Sequence, residues 1–184
     1  MSRIGIFGGA FDPPHMGHVT SVAYALATAR LDALWVVPCW EHGFGKKMSA
    51  FEDRYLMAEA AFNPIFGDRV VVRGVERTWQ TKYTVDLIEA LRAENPCDTF
   101  ILIMGRDEYD VIGKWHRADD LRHMVDILPI GRGNYRGDSE FVIPNVSSTK
   151  VREMVTDSGT ARPKQLVPEP VLRYIDRAGL YRTR

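Results

Sequence analysis

The sequence has very few cysteines, no excess of charge and no long apolar run. Its two cysteines, Cys39 and Cys97, are too few and too far apart for a disulfide framework, which fits a reducing compartment. The 24 basic residues balance the 24 acidic ones, so net charge attracts neither nucleic acid nor an anionic membrane. No run approaches the roughly 20 apolar residues of a membrane span, and no basic-then-apolar leader is present. We therefore expect a cytoplasmic protein without a nucleic-acid or membrane partner.

What the sequence does contain is a regular alternation of strand and helix patterns. Short apolar runs predict five strands, at residues 4–7, 33–38, 69–73, 99–104 and 125–130. Apolar residues three and four apart predict the intervening helices, and Ser49 begins a capping-box pattern for the second of them. The length suits one ordinary domain, and no repeat or linker divides it. We predict a single α/β domain over residues 1–184, built on a doubly wound parallel sheet.

Glycines and histidines crowd the crossing from the first strand to the first helix, residues 8–18 (GGAFDPPHMGH). Gly8 and Gly9 allow a sharp turn and a close approach of a ligand to the backbone. His15 and His18 can aim imidazole donors at one phosphate, where free N–H groups and the helix dipole also favour anions. A pair of surface histidines, or half of a metal site, is the alternative.

Two later segments offer further groups for a nucleotide. Asp107 follows the fourth strand, and a carboxylate that accepts two hydroxyl donors suits a ribose, although a helix N-cap is the alternative. Residues 147–149 (SST) open a predicted helix and present hydroxyl and backbone donors at its positive end. Arg152, one turn later, can fork onto phosphate oxygens, and a helix cap followed by a solvated arginine is the simpler alternative.

These segments together resemble a known family. Residues 9–18 match the G-x-F-x-P-x-H-x-G-H motif of the HxGH nucleotidyltransferases, and most resemble the nicotinate/nicotinamide mononucleotide adenylyltransferases among them. Residues 146–152 (VSSTKVR) are similar to the I-S-S-T-x-x-R of that family, and residues 166–181 to its closing segment. The resemblance covers nearly the whole chain. It implies a Rossmann-like nucleotidyltransferase fold in which the first and fourth strands are neighbours at the switch point.

The resemblance also implies an activity in NAD biosynthesis, the joining of ATP and nicotinate or nicotinamide mononucleotide with release of pyrophosphate. The mononucleotide phosphate needs no general base, so positioning and charge stabilisation suffice. The implied catalytic residues are His15, His18 and Arg152, and Mg²⁺ would accompany ATP without a dedicated protein site. The implied ATP-binding residues are Gly8, Gly9, Phe11, Lys46, Gly105, Asp107, Ser147, Ser148 and Thr149. Lys46 lies in a Gly-Lys-Lys run, and a solvated basic loop is its alternative.

The mononucleotide end is implied by two weaker matches. Residues 82–87 (KYTVDL) resemble a family segment that meets the pyridine, and residues 114–117 (KWHR) one whose tryptophan stacks on that ring. They imply Tyr83, Thr84 and Trp115 as mononucleotide-binding residues, with Trp79 as a candidate second aromatic wall. A core position is the alternative for Trp115. The Gly-Lys-Lys run at residues 45–47 resembles that of the eukaryotic adenylyltransferases of dual specificity. The closing segment, residues 166–181, instead resembles that of the bacterial nicotinate enzymes.

Other functions stay open from the sequence alone. A relative in the same superfamily, such as a pantetheine-phosphate adenylyltransferase, also has a serine-rich late motif. A catalytically idle nucleotide-binding regulator would keep the fold but has no need of both histidines and the arginine. A dinucleotide oxidoreductase is disfavoured because the first turn lacks G-x-G-x-x-G. The sequence also leaves open whether the chain forms a homo-oligomer.

Overall fold

The computed structural model describes residues 1–41, 45–132, 142–143, 145–156 and 163–182. Within these residues the strands are β1 (Arg3–Gly9), β2 (Ala33–Pro38), β3 (Val70–Val72), β4 (Thr99–Gly105), β5 (Asp126–Arg132) and β6 (Val142–Ile143). The helices are α1 (Met16–Thr28), α2 (Phe51–Phe66), α3 (Val75–Trp79), α4 (Thr84–Glu94), α5 (Arg106–Tyr109), α6 (Ala118–Met124), α7 (Ser148–Thr156) and α8 (Glu169–Ala178). Single 3₁₀ turns occupy Gly67–Arg69 and Ile112–Lys114.

The described strands form one sheet in the order β3-β2-β1-β4-β5-β6, with every neighbouring pair parallel. The strand order reverses between β1 and β4, the point at which ligands bind in doubly wound sheets. Phe7 of β1 lies opposite Ile103 of β4, so both strands end at the same edge. The predicted Rossmann-like fold, with the first and fourth strands adjacent, is confirmed.

Helices cover both faces of the sheet because the central strands are apolar on both sides. On β4, Ile101 and Ile103 contribute to one buried cluster, together with residues of α1, α2, α7 and α8. Leu102 and Met104 face the opposite way and join a second cluster with residues of α3, α4 and α6. Among the described residues, no helix combines the length and apolar character required to cross a bilayer.

The predicted five strands are all present, and the exceptions are local. The third is shorter than expected because residues 67–69 form a 3₁₀ turn, and β6 is too short to give a pattern. The capping box predicted at Ser49 is wrong. Ala50 is the N-cap of α2, and the N–H of Ser49 instead donates to the Asp12 carboxylate at 3.2 Å. Residues 42–44 of the predicted glycine-rich loop lie outside the described residues.

Candidate active site

The two histidines lie where β1 passes into α1. His15 has an extended backbone and directly precedes the helix, and its N–H donates to Nδ1 of His18 at 3.2 Å. A neutral His18 ring that accepts at Nδ1 carries its hydrogen on Nε2, where it can be donated to a phosphate oxygen. The two imidazole rings stack, with centroids 3.8 Å apart. His15 is only 3% exposed, so His18 is the more accessible of the pair.

The ring of Phe11 packs against the ring of His18. Its side chain is 1% exposed, and its ring meets the His18 ring edge-on at 5.1 Å between centroids. Its backbone has a φ of 49°, in the left-handed region, so the surrounding packing must hold it there. Since the ring is in the core, a contribution of Phe11 to ATP binding would come from its backbone. At Gly8, by contrast, no atom of the described residues lies within 4 Å of the place a Cβ would take, which leaves room for a ligand.

The start of α1 is less open to anions than the sequence suggested. The N–H of Met16 donates to the Leu166 carbonyl at 2.8 Å, and those of His18 and Val19 donate to the His15 carbonyl. The N–H groups of Met16 and His18 are therefore not free for an anion, whereas Val19 makes the ordinary first bond of the helix.

Helix α7 places the serine-rich motif, residues 146–152, against the histidine turn, residues 8–18. Ser147 caps the helix, since its Oγ accepts the N–H of Lys150 at 3.2 Å, and the Ser148 hydroxyl donates to the Pro13 carbonyl at 2.9 Å. Arg152 donates through Nη1 to the Asp12 carbonyl at 2.6 Å and through Nη2 to the Thr149 hydroxyl at 3.2 Å. Residues about 140 apart in sequence thus meet at one turn. Ser148 serves this junction, Thr149 is exposed and Arg152 is half-buried.

The end of β4 presents Asp107 at the same edge of the sheet. Gly105, not Asp107, is the N-cap of α5, so the helix-cap alternative for Asp107 is wrong. The Asp107 carboxylate lies over Gly105, in the space that a Cβ there would take. The neighbouring Arg106 is paired with Asp110 at 2.6 Å. Asp107 itself has no hydrogen bond or ion pair to the parts of the protein that the structure describes, and its carboxylate can accept hydroxyl donors.

The predicted mononucleotide residues lie beside the second buried cluster. Tyr83, Trp79 and Trp115 are partly buried against it. Tyr83 stacks on His116 at 4.3 Å between ring centroids, which ties the start of α4 to the segment that holds Trp115. Within the described residues the indole Nε1 of Trp115 is buried without a partner, an arrangement that a purely structural tryptophan usually avoids. Thr84 is the first residue of α4, and Lys46 is exposed.

Sequence reasoning missed a buried arginine that holds the histidine turn. Arg54 is 1% exposed, and its guanidinium donates to the carbonyls of Ala10 and Ser49 at 3.0 Å each and of Trp40 at 3.4 Å. The available signal was its place on the buried stripe of α2, between Phe51 and Ala58. A charged residue on such a stripe has to satisfy its donors internally, and here it does so with loop carbonyls.

Burial shifts two ionisable groups next to Arg54 towards their uncharged forms. Burial raises the pKa of Glu76 to about 7, against the opposing effects of the Trp40 N–H that it accepts at 2.9 Å and of the Arg54 charge. Burial likewise raises the pKa of the Cys39 thiol to about 11, so this cysteine is no nucleophile at neutral pH. Among the described residues, no group of three or more His, Cys, Asp or Glu side chains could hold a metal ion.

A doubly wound sheet with paired histidines after its first strand, and a later arginine bonded onto that turn, is the arrangement of an HxGH nucleotidyltransferase. Residues 6–154 match the cytidylyltransferase-like family. A probable nicotinate-nucleotide adenylyltransferase of Anaeromyxobacter dehalogenans (strain 2CP-1) is 35% identical over 183 residues, 98% of this chain and 97% of that protein. The protein of the same description from Bacillus pumilus is 34% identical and covers 98% and 99%. The chain belongs to the nicotinate-nucleotide adenylyltransferase family, and it is a nucleotidyltransferase.

Solved structures agree on the fold. The nicotinic acid mononucleotide adenylyltransferase of Plasmodium falciparum complexed with NaAD has a TM-score of 0.86 at 22% identity, over 98% of both chains. The same protein complexed with APC gives a TM-score of 0.82 at 21% identity, again over 98% of both. At such identities the likeness concerns the fold alone.

Proposed function

We propose that this protein transfers the adenylyl group of ATP to nicotinate mononucleotide, with weaker use of nicotinamide mononucleotide. An oxygen of the mononucleotide phosphate attacks the α-phosphorus of ATP, the bond from that phosphorus to the β-phosphate bridging oxygen breaks, and pyrophosphate leaves. The observation that carries the proposal is the bond from Arg152 to the Asp12 carbonyl at 2.6 Å, which joins the arginine to the histidine turn. The names of the related bacterial proteins support the choice of substrate.

The roles of the residues follow from their chemistry. His18 donates through Nε2 to an oxygen of the transferring phosphoryl group, with His15 stacked behind it. Arg152 and the start of α7 hold the pyrophosphate portion, and Asp107 accepts the ribose hydroxyls. The donors at this turn are imidazole, guanidinium and hydroxyl groups, which suit phosphate oxygens. Mg²⁺ enters as part of the substrate, MgATP.

The test is to incubate the protein with MgATP and one acceptor at a time and to measure pyrophosphate. Nicotinate mononucleotide should give the fastest release, nicotinamide mononucleotide a slower one, and phosphopantetheine none above background. Preference for phosphopantetheine would assign a different adenylyltransferase activity. Tight MgATP binding without turnover on any acceptor would leave only a nucleotide-binding regulator.

Replacing Trp115 with alanine should raise KM for the mononucleotide and leave KM for ATP nearly unchanged. A stacked indole supplies on the order of 1 kcal/mol beyond its burial, which corresponds to a KM increase of about fivefold. Trp115→Phe is the matched control because it keeps an aromatic face, and it should retain most of the affinity. If Trp115→Ala lowers Tm sharply while the folded protein binds the mononucleotide normally, Trp115 is a core residue.

Nicotinate mononucleotide should be preferred over nicotinamide mononucleotide at low salt, and added salt should narrow the preference. Thr84 begins α4, and a helix N-terminus favours a carboxylate over a neutral amide by roughly 0.3–1 kcal/mol. The N–H groups of Asp86 and Leu87 already donate to the Tyr83 carbonyl, so the contact would fall on the N–H of Thr84 or of Val85. Screening by salt should weaken this discrimination. A kcat/KM ratio at or below one, nicotinate over nicotinamide, would assign the choice to shape instead.

A further inference from the structure

The segment after α8 reaches back to the turn that carries the histidines. The Tyr181 hydroxyl donates to Oδ1 of Asp12 at 2.7 Å, and Asp12 is only 4% exposed. The other carboxylate oxygen of Asp12 accepts the N–H of Ser49 at 3.2 Å. Burial, and next the bond to Asp12, raise the pKa of the Tyr181 hydroxyl far above its ordinary value. The hydroxyl therefore stays protonated around neutral pH. It is one of the two described donors to the buried Asp12 carboxylate.

The same tyrosine also contacts the helix of the second motif. Its carbonyl accepts the Thr156 hydroxyl at 2.7 Å, and that hydroxyl also lies 2.9 Å from the Arg152 carbonyl. Asp12 in turn accepts Arg152 through its own carbonyl at 2.6 Å. Tyr181 thus bonds to Asp12 at one end and to Thr156 at the other, and Arg152 lies between them in this network.

We propose that Tyr181 is a positioning residue for adenylyl transfer, one that fixes Arg152 relative to His18. It acts through Asp12 and touches no substrate. Without its hydroxyl, the Asp12 carboxylate loses one of its two described donors, and the turn gains freedom. The carbonyl that anchors Arg152 then moves with the turn. The kinetic test of this proposal rests on the proposed function, because it measures adenylyl transfer to an acceptor. A second test measures MgATP binding and needs no acceptor.

The chain contains a matched control for this residue. Tyr174, on α8, donates its hydroxyl to Asp53 of α2 at 2.8 Å, a tyrosine–aspartate bond of nearly the same length away from the histidine turn. Tyr181→Phe and Tyr174→Phe each remove one hydroxyl and keep the ring. The first should lower kcat/KM about 10-fold, as a small misplacement of a reacting group does, and the second should leave it unchanged. Urea unfolding of both variants gives the folded fraction by which each rate is divided.

Three further measurements separate positioning from general stability. In the Arg152→Ala background, Tyr181→Phe should have almost no further effect, because the group that it positions is gone. Thr156→Val, which breaks the other contact of Tyr181, should lower kcat/KM in the same direction but by less. Calorimetric titration with MgATP should show severalfold weaker binding for Tyr181→Phe and wild-type binding for Tyr174→Phe.

The possible outcomes are distinct. If the wild type binds MgATP but releases no pyrophosphate with any acceptor, the proposed function fails, and the MgATP titration still tests Tyr181. If Tyr181→Phe matches Tyr174→Phe in both MgATP affinity and rate per folded molecule, Tyr181 is only structural and the positioning role is overturned. A full-sized effect of Tyr181→Phe in the Arg152→Ala background would also overturn it, because Tyr181 would then act independently of Arg152.

Discussion

Replacing His18 with alanine should lower kcat by about 10²–10³-fold, the effect of removing one preorganised donor to a developing charge. The geometry supports a large effect because the ring is fixed on three sides. Its Nδ1 accepts a backbone N–H at 3.2 Å, His15 stacks on one face and Phe11 meets it edge-on. The donor on Nε2 is therefore held in place before the substrate arrives. KM for ATP should change much less, since the bond strengthens in the transition state.

His123→Ala is the matched control for this variant. His123 lies exposed on α6 and contacts only the Asp119 carbonyl among the hydrogen bonds described for it, at 2.6 Å. Its loss should leave kcat unchanged under the same assay. Single-turnover rates distinguish a slower chemical step from slower product release. Turnover by His18→Ala near that of the wild type would remove His18 from the catalytic residues.

Replacing Arg152 with alanine should weaken ATP binding, with KM for ATP raised by about 10- to 100-fold. A charge-assisted hydrogen bond contributes about 1.5–3 kcal/mol, and the guanidinium can place two N–H groups on phosphate oxygens. The half-buried arginine is already oriented by Asp12 and Thr149, so little order has to be gained on binding. KM for the mononucleotide should change much less than that for ATP.

Two controls accompany Arg152→Ala. Arg122, on α6, is exposed and pairs with Asp119 at 3.6 Å, so Arg122→Ala should leave both KM values unchanged. Arg152→Lys keeps the charge but loses the planar fork, and it should recover only part of the ATP affinity. If KM for ATP is unchanged in Arg152→Ala, the arginine is a surface residue whose bond to Asp12 serves the fold alone.

Much of the fold and part of the candidate site could be predicted, because the sequence patterns that indicate them extend over only a few neighbouring residues. The apolar runs of β1 and β4 mark buried strands, since a parallel sheet covered on both faces needs apolar residues at every position. The turn at residues 8–18 could be assigned to phosphate because glycines, prolines and histidines each have a distinct backbone or donor property. A serine cap for α7 could be predicted at Ser147 or Ser148 because capping depends on the next three residues only, and the structure places it at Ser147.

Other features have no local signal. In the sequence, Asp12 is an unassigned position of the histidine motif. In the structure, its three oxygens accept hydrogen bonds from Tyr181, Ser49 and Arg152. Arg54 was a charge on a helix, and the structure makes it the donor to the Ala10 carbonyl. His15 and His18 looked equivalent, but packing buries His15 and leaves His18 as the accessible donor.

The sequence by itself determined the parallel α/β sheet, the turn that carries the histidines and the family to which the chain belongs. These depend on periodicity and on short motifs, which act over a few residues. Only the tertiary structure decided that Arg152 meets Asp12 across 140 residues and that Tyr181 holds the same aspartate. Such contacts form because polar groups that folding removes from water need hydrogen-bond partners within the protein. The nearest partner in space can lie anywhere in the sequence.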